Sequence, residues 1–151
     1  LNLDQQLGSA YRDSAMSDDV PMAAPSMAIP DWDEMLKQTD DSFSEALLRL
    51  IDERGMTDAQ CYKKAQIDRK LFSKIRCNPH YIPRRKTIIS LAVALELNID
   101  EMTDLLLKAG IALSPGSKFD LIIRYCVENH IYDTMRINAI LFDYDQPLLG
   151  A

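Results

Sequence analysis

A chain of 151 residues, 47% of them apolar, holds one ordinary domain plus a short extension and has enough hydrophobic side chains for a real core. Its longest apolar run, Ile88 to Leu95, is far shorter than the ~20 residues that span a bilayer, and no charged-then-apolar leader opens the chain, so membrane insertion and export find no support. The net charge of −6 gives no hint of an anionic partner, and Cys61, Cys77 and Cys126, widely spaced and outside any CxxC pattern, argue for inert free thiols in a reducing cytoplasm rather than a disulfide framework or zinc site.

In chain order, residues 1–30 lack periodicity and are punctuated by Pro21, Pro25 and Pro30, which marks an acidic linker or arm. The start at Leu1 rather than Met predicts a fragment or processed product with an upstream effector domain. Residues 31–41 read as a short docking helix: Asp31 and Glu34 have capping-box spacing, and Trp32, Met35 and Leu36 form its apolar side, with Trp32 as the anchor. From Ser42 an amphipathic helix carries Leu47, Leu48, Leu50 and Ile51 and is closed by Gly55. Thr57 caps a second helix, Asp58 to Lys64, and Asp68 caps a third, Arg69 to Arg76. So short a connection forces these two helices to cross steeply around Cys61, Ala65, Ile67, Phe72 and Ile75.

Pro79 and Pro83 bound a loop, after which Arg84 to Leu97 reads as a fourth helix burying Ile88, Leu91, Ala92 and Leu95. Asn98 and Glu101 form a capping box for a fifth, which runs to Gly110. Ser117 caps a sixth helix with Phe119, Ile122, Ile123 and Cys126 on one face. Asp133 caps a last one carrying Met135, Ile137, Ile140, Leu141 and Phe142 before the Pro147 tail. No segment alternates as a strand does, so the expected fold is all-α.

Charge is distributed unevenly along these elements. Residues 1–56 carry 4 basic and 12 acidic side chains, residues 57–86 carry 9 and 2, and residues 87–151 carry 4 and 9. The basic block coincides with the steeply crossed helix pair, which is the electrostatic footprint of a phosphate-binding surface.

The segments LLRLIDERGMT, AQIDRKLFSKI and IP followed by TIISLAVALELNIDEMTDLL, in that order from Leu47 to Leu106, resemble the lambda-repressor-like (Cro, phage-repressor and XRE) helix-turn-helix family. The resemblance implies a five-helix helix-turn-helix domain over residues 42–113, with a two-helix C-terminal extension over 114–151 and the short N-terminal helix or arm before it. The sequence departs from the family pattern at Gln66, where glycine is usual in the turn, and at Tyr62, where a small residue is common. More loosely, Ser42 to Ala151, ending DQPLLGA, is similar to a C-terminal helical module of larger bacterial proteins, some with macrodomains.

By the family resemblance, Arg69, Lys70, Ser73 and Lys74 on the third helix are the base readers, Arg69 or Lys70 being suited to guanine O6 and N7. Lys63, Lys64, Asn78, His80, Arg84, Arg85 and Lys86 are the expected phosphate contacts. His80 and His130 lack ligands at metal spacing, and Asp100, Glu101 and Asp104 are accounted for by a helix start. No nucleophile, P-loop, HExxH or dinucleotide motif occurs, so neither enzymatic activity nor a cofactor is expected.

The leading expectation is therefore a cytoplasmic, sequence-specific module for double-stranded DNA, a transcriptional regulator or the DNA-targeting end of a larger bacterial protein. Homodimerisation through the C-terminal helices is expected because one short recognition helix reads few base pairs. The competing reading is a protein-interaction module on the same scaffold that recruits or restrains an attached effector domain. RNA binding ranks below both, because Tyr62 and Tyr81 alone offer rings for stacking in the basic region.

Overall fold

The computed structural model describes residues 31–37 and 39–150, and among them every regular element is a helix: α1 (Trp32–Leu36), α2 (Phe43–Glu53), α3 (Asp58–Lys64), α4 (Arg69–Cys77), α5 (Arg85–Ala94), α6 (Ile99–Lys108), α7 (Lys118–Glu128) and α8 (Thr134–Asp143). The all-α expectation holds for these residues. The expected linker over residues 1–30 lies outside them. The chain divides into one unit up to Asp40 and a second from Asp41 onward. In the first, α1 is a short helix of five residues, none of them buried; Asp31 accepts from the Asp33 and Glu34 amides, but Glu34 does not reciprocate as a capping box requires and instead pairs with Lys37.

In the second unit, helix starts are written into the sequence. Ser42 with Glu45, Thr57 with Gln60 and Asn98 with Glu101 each form a full capping box, satisfying two orphan amides at α2, α3 and α6. Ser117 and Asp133 cap α7 and α8 through their side chains. The stops are more uniform than the sequence implies. After α2, α3, α5, α6, α7 and α8, the chain turns through one left-handed residue, respectively Gly55, Gln66, Glu96, Gly110, His130 and Asp145. In each case the amide of that residue and the next reach back to successive carbonyls of the last turn, for example Gln66 to Lys63 and Ile67 to Tyr62. Four of the six are not glycine, although a left-handed side-chain-bearing residue costs roughly 1–2 kcal/mol. At three of these four the residue that follows offsets the cost, since Ile67, Leu97 and Ile131 turn inward onto the core, as Met56 and Ile111 do after the two glycines; Asp145 is followed instead by Gln146. The same device corrects one expected boundary. The fourth predicted helix does not reach Leu97 but ends at Ala94, because left-handed Glu96 swings Leu97 into the interior.

At the centre lies α5, which past its first two residues is buried without interruption from Thr87 on to Leu95 just after it. It packs against α3 and α6, while α2 packs on α4 and α6, and α6 also carries α7, which in turn holds α8. The expected extension is thus part of the same unit: Ile123, Cys126, Val127, Ile137 and Leu141 join the core, each of the aliphatic four worth about 1.5–3 kcal/mol when fully buried. Met135 and Phe142, expected beside Ile137 and Leu141 on the apolar side of the last helix, are exposed. Even the tail is anchored. Asn138 exchanges two hydrogen bonds with the Leu149 backbone, and the Gly150 amide donates to Ser90 Oγ at 3.0 Å. At φ +113°, with the Gln66 side chain about 3.5 Å from where a Cβ would stand, position 150 suits glycine.

The cysteines are free, with Cys61 and Cys126 buried and Cys77 exposed. Burial pushes the Cys61 thiol up to about 12, with Asp58 adding and Lys64 opposing, and burial likewise raises Cys126. Both shifts favour the neutral thiol in the folded state. Their stabilisation is complete below the unfolded value near 9.0 and is lost as pH rises toward the folded value, at up to about 1.4 kcal/mol per pH unit for each thiol. A colourimetric thiol assay at pH 8 should therefore count one reactive cysteine in the native protein and three in denaturant, and denaturation midpoints should fall above pH 9. Rapid native labelling of all three would contradict this assignment.

Candidate nucleic-acid interface

The basic segment folds as α3, a four-residue connection and α4. Gln66 occupies the left-handed position of that connection, which is why glycine would suit it, and Ile67 drops into the core beside Ala65. Asp68 stands at the N-cap of α4 with extended backbone, but its carboxylate makes no capping hydrogen bond, unlike the role expected for it. Cys61, Phe72 and Ile75 are buried between the helices and the rest of the core. Tyr62 fills the gap that a small residue would leave, its ring centroid 5.6 Å from that of Phe72. With Phe72 and Ile75 inside, Arg69, Lys70, Ser73 and Lys74 all stand exposed on the opposite side of α4.

Ion pairing separates the cations of this acidic protein into two groups. Arg49 pairs with Asp41 and Glu53, Arg54 with Glu101, Lys64 with Glu96, Arg76 with Asp58 and Arg124 with Glu128. Among the described residues, no carboxylate lies within ion-pair distance of Lys63, Arg69, Lys70, Lys74, Arg84 or Lys86. These six are contributed by α3, α4 and the start of α5; Lys118 and Arg136 also lack an ion pair among the described residues, so the unneutralised charge is concentrated in the segment the sequence singled out without being confined to it. Lys74 is further positioned by Tyr81, its ammonium 4.8 Å from the ring centroid. Asn78 and His80 are exposed in the loop after α4, which ends at extended Asn78 without a left-handed stop.

Two expected phosphate contacts are otherwise engaged. Lys64 is held by Glu96 at 2.5 Å, an exposed pair that an anion could replace. Arg85 is committed more firmly. Its guanidinium donates to both oxygens of Asp120, at 2.8 and 2.5 Å, and to the Ala112 carbonyl at 2.8 Å. Asp120 is 2% exposed and also accepts from the Ser114 amide. Arg85 therefore clamps α5 to α7, and its place in the phosphate set is taken from it by a buried carboxylate 35 residues away. The sequence carried no local signal for this pair.

Concavities elsewhere are chemically unlike this face. One of about 570 Å3 is bounded by Arg54, Lys64 and Glu96, whose charges are already paired. Another, of about 490 Å3, lies between α7 and α8 and is lined by Leu121, Ile122, Tyr125, Ile140 and Tyr144. Among the described residues no group of three or more His, Cys, Asp or Glu side chains is placed to hold a metal ion, and no helix is long and apolar enough to cross a membrane. Glu101 of the acidic cluster is accounted for by its capping box and by Arg54. Comparison with protein-family models, curated proteins and solved structures gave no match.

Proposed function

We propose that residues 42–150 form a DNA-binding module of the helix-turn-helix type, with α4 as the recognition helix. The observation that carries this reading is the exposure of Arg69, Lys70, Ser73 and Lys74 on one side of α4, without carboxylate partners, in a protein of net charge −6 that neutralises many of its other cations. Arg69 and Lys70, in the first turn of α4, are the residues best suited to reach guanine edges, and Ser73 suits either kind of edge. Lys63, Arg84 and Lys86, with Asn78 and His80 as further hydrogen-bond donors, supply the flanking phosphate contacts. A second copy bound through α7 and α8 doubles the site read, and the exposed Leu121, Tyr125 and Tyr144 around their groove favour such pairing. The same apolar groove is what favours the alternative, a module whose C-terminal helices bind another protein.

The roles of readers and anchors separate in salt dependence. Replacing Arg84 and Lys86 together with alanine should weaken binding to all duplexes about equally and reduce the slope of log affinity against log salt by roughly 1.8, about 0.9 per lost phosphate contact. Fluorescence anisotropy across a salt series measures it. An unchanged slope, or a change in preferred sequence, would reverse the assignment of these residues.

A further inference from the structure

The start of α5 carries more than surface charge. Arg84 is its N-cap residue but provides no side-chain hydrogen bond, and the first helical bond runs from the Ile88 amide to the Arg84 carbonyl. The amides of Arg85, Lys86 and Thr87 are consequently unmatched within the helix, at the end where the peptide dipoles favour an anion. Thr87 supplies an independent sign. Its side chain is buried, the residue being 4% exposed, yet its hydroxyl makes no hydrogen bond to any described residue. An unmatched buried hydroxyl is costly, and natural proteins keep few of them. Thr87 lines a concavity of about 280 Å3 whose other walls are Leu71, Tyr81, Arg84 and Lys86. Among the described residues, no acidic one lines it.

We infer that this pocket binds the phosphate group of a small phosphate ester with an apolar or ring-shaped remainder, a mononucleotide being the simplest example. The phosphate would lie at the α5 amides, between Arg84 and Lys86, and accept from the Thr87 hydroxyl; the remainder would lie against Leu71 and Tyr81. A duplex phosphodiester suits the site less well, because its phosphates stay on the outside of a rigid helix while the Thr87 hydroxyl lies below the surface. Pocket binding shares Arg84 and Lys86 with the duplex-facing surface but does not rest on that reading, and it is measured without DNA.

Amide NMR titrations of the full chain with inorganic phosphate, 5′-AMP and sodium chloride at matched ionic strength test the assignment. Saturable shifts at Lys86 and Thr87 are expected with phosphate and AMP, at lower concentration with AMP, which alone should also move Leu71 and Tyr81. Thr87→Val should weaken AMP binding at least tenfold while melting at the same temperature or higher, since it removes an unmatched hydroxyl without changing shape. Arg84→Ala, at an exposed position, should give a comparable loss should the valine variant not fold. Shifts that grow linearly and equally with chloride would overturn the proposal, as would AMP binding untouched by either substitution. Perturbation of these amides by duplex DNA but not by AMP would overturn it in favour of a backbone phosphate.

Discussion

Arg85→Ala should destabilise the protein by about 3–5 kcal/mol, because it strands the Asp120 carboxylate in the interior with the Ser114 amide as its remaining donor among the described residues. The cost is that of an uncompensated buried charge rather than the net worth of the pair. The double replacement Arg85→Met with Asp120→Leu should therefore recover most of the loss. Arg84→Ala, one residue earlier and exposed, should change stability by no more than about 0.5 kcal/mol. Urea denaturation of the four proteins decides the matter. Equal effects at positions 84 and 85 would mean that the Arg85–Asp120 clamp does not hold α5 to α7.

Charge reversal at Arg69 and Lys70 should lower affinity for a preferred duplex about a hundredfold or more, since each base-reading contact is worth about 1–3 kcal/mol and reversal adds repulsion from phosphate. Both side chains are exposed and neither is ion-paired among the described residues, so the helical circular dichroism and melting temperature should be unchanged. That combination separates a lost contact from a lost fold. Undiminished affinity in a folded double variant would remove α4 from the groove.

The elements of this fold were legible because their signals are local. Ser42 with Glu45 and Asn98 with Glu101 announce helix starts at a fixed spacing, and the apolar contacts around Cys61, Phe72 and Ile75 follow from helical periodicity. The helix stops were less legible. Glu96, His130 and Asp145 are left-handed without being glycine, so the cue that marks Gly55 and Gly110 is missing; the apolar residue after the turn carries the signal only at Leu97 and Ile131. The candidate site divides in the same way. Exposure of Arg69, Lys70, Ser73 and Lys74 follows from burying Phe72 and Ile75 on the same short helix. The engagement of Arg85 by Asp120 and the position of Lys74 over Tyr81 depend on tertiary packing, which periodicity does not encode. Thr87 was hidden for a similar reason: its unmatched hydroxyl is apparent only once α5 is buried.

On the proposed function, the uncompensated basic face of α4 reads duplex DNA. Selection of bound duplexes from a randomised pool by the full chain, with gel shifts of the enriched sequence and of a scrambled control at low and physiological salt, tests it most directly. The expected result is a recurrent motif whose complex survives at physiological salt while the scrambled duplex is released. No enrichment, with both duplexes lost in parallel as salt rises, would contradict it.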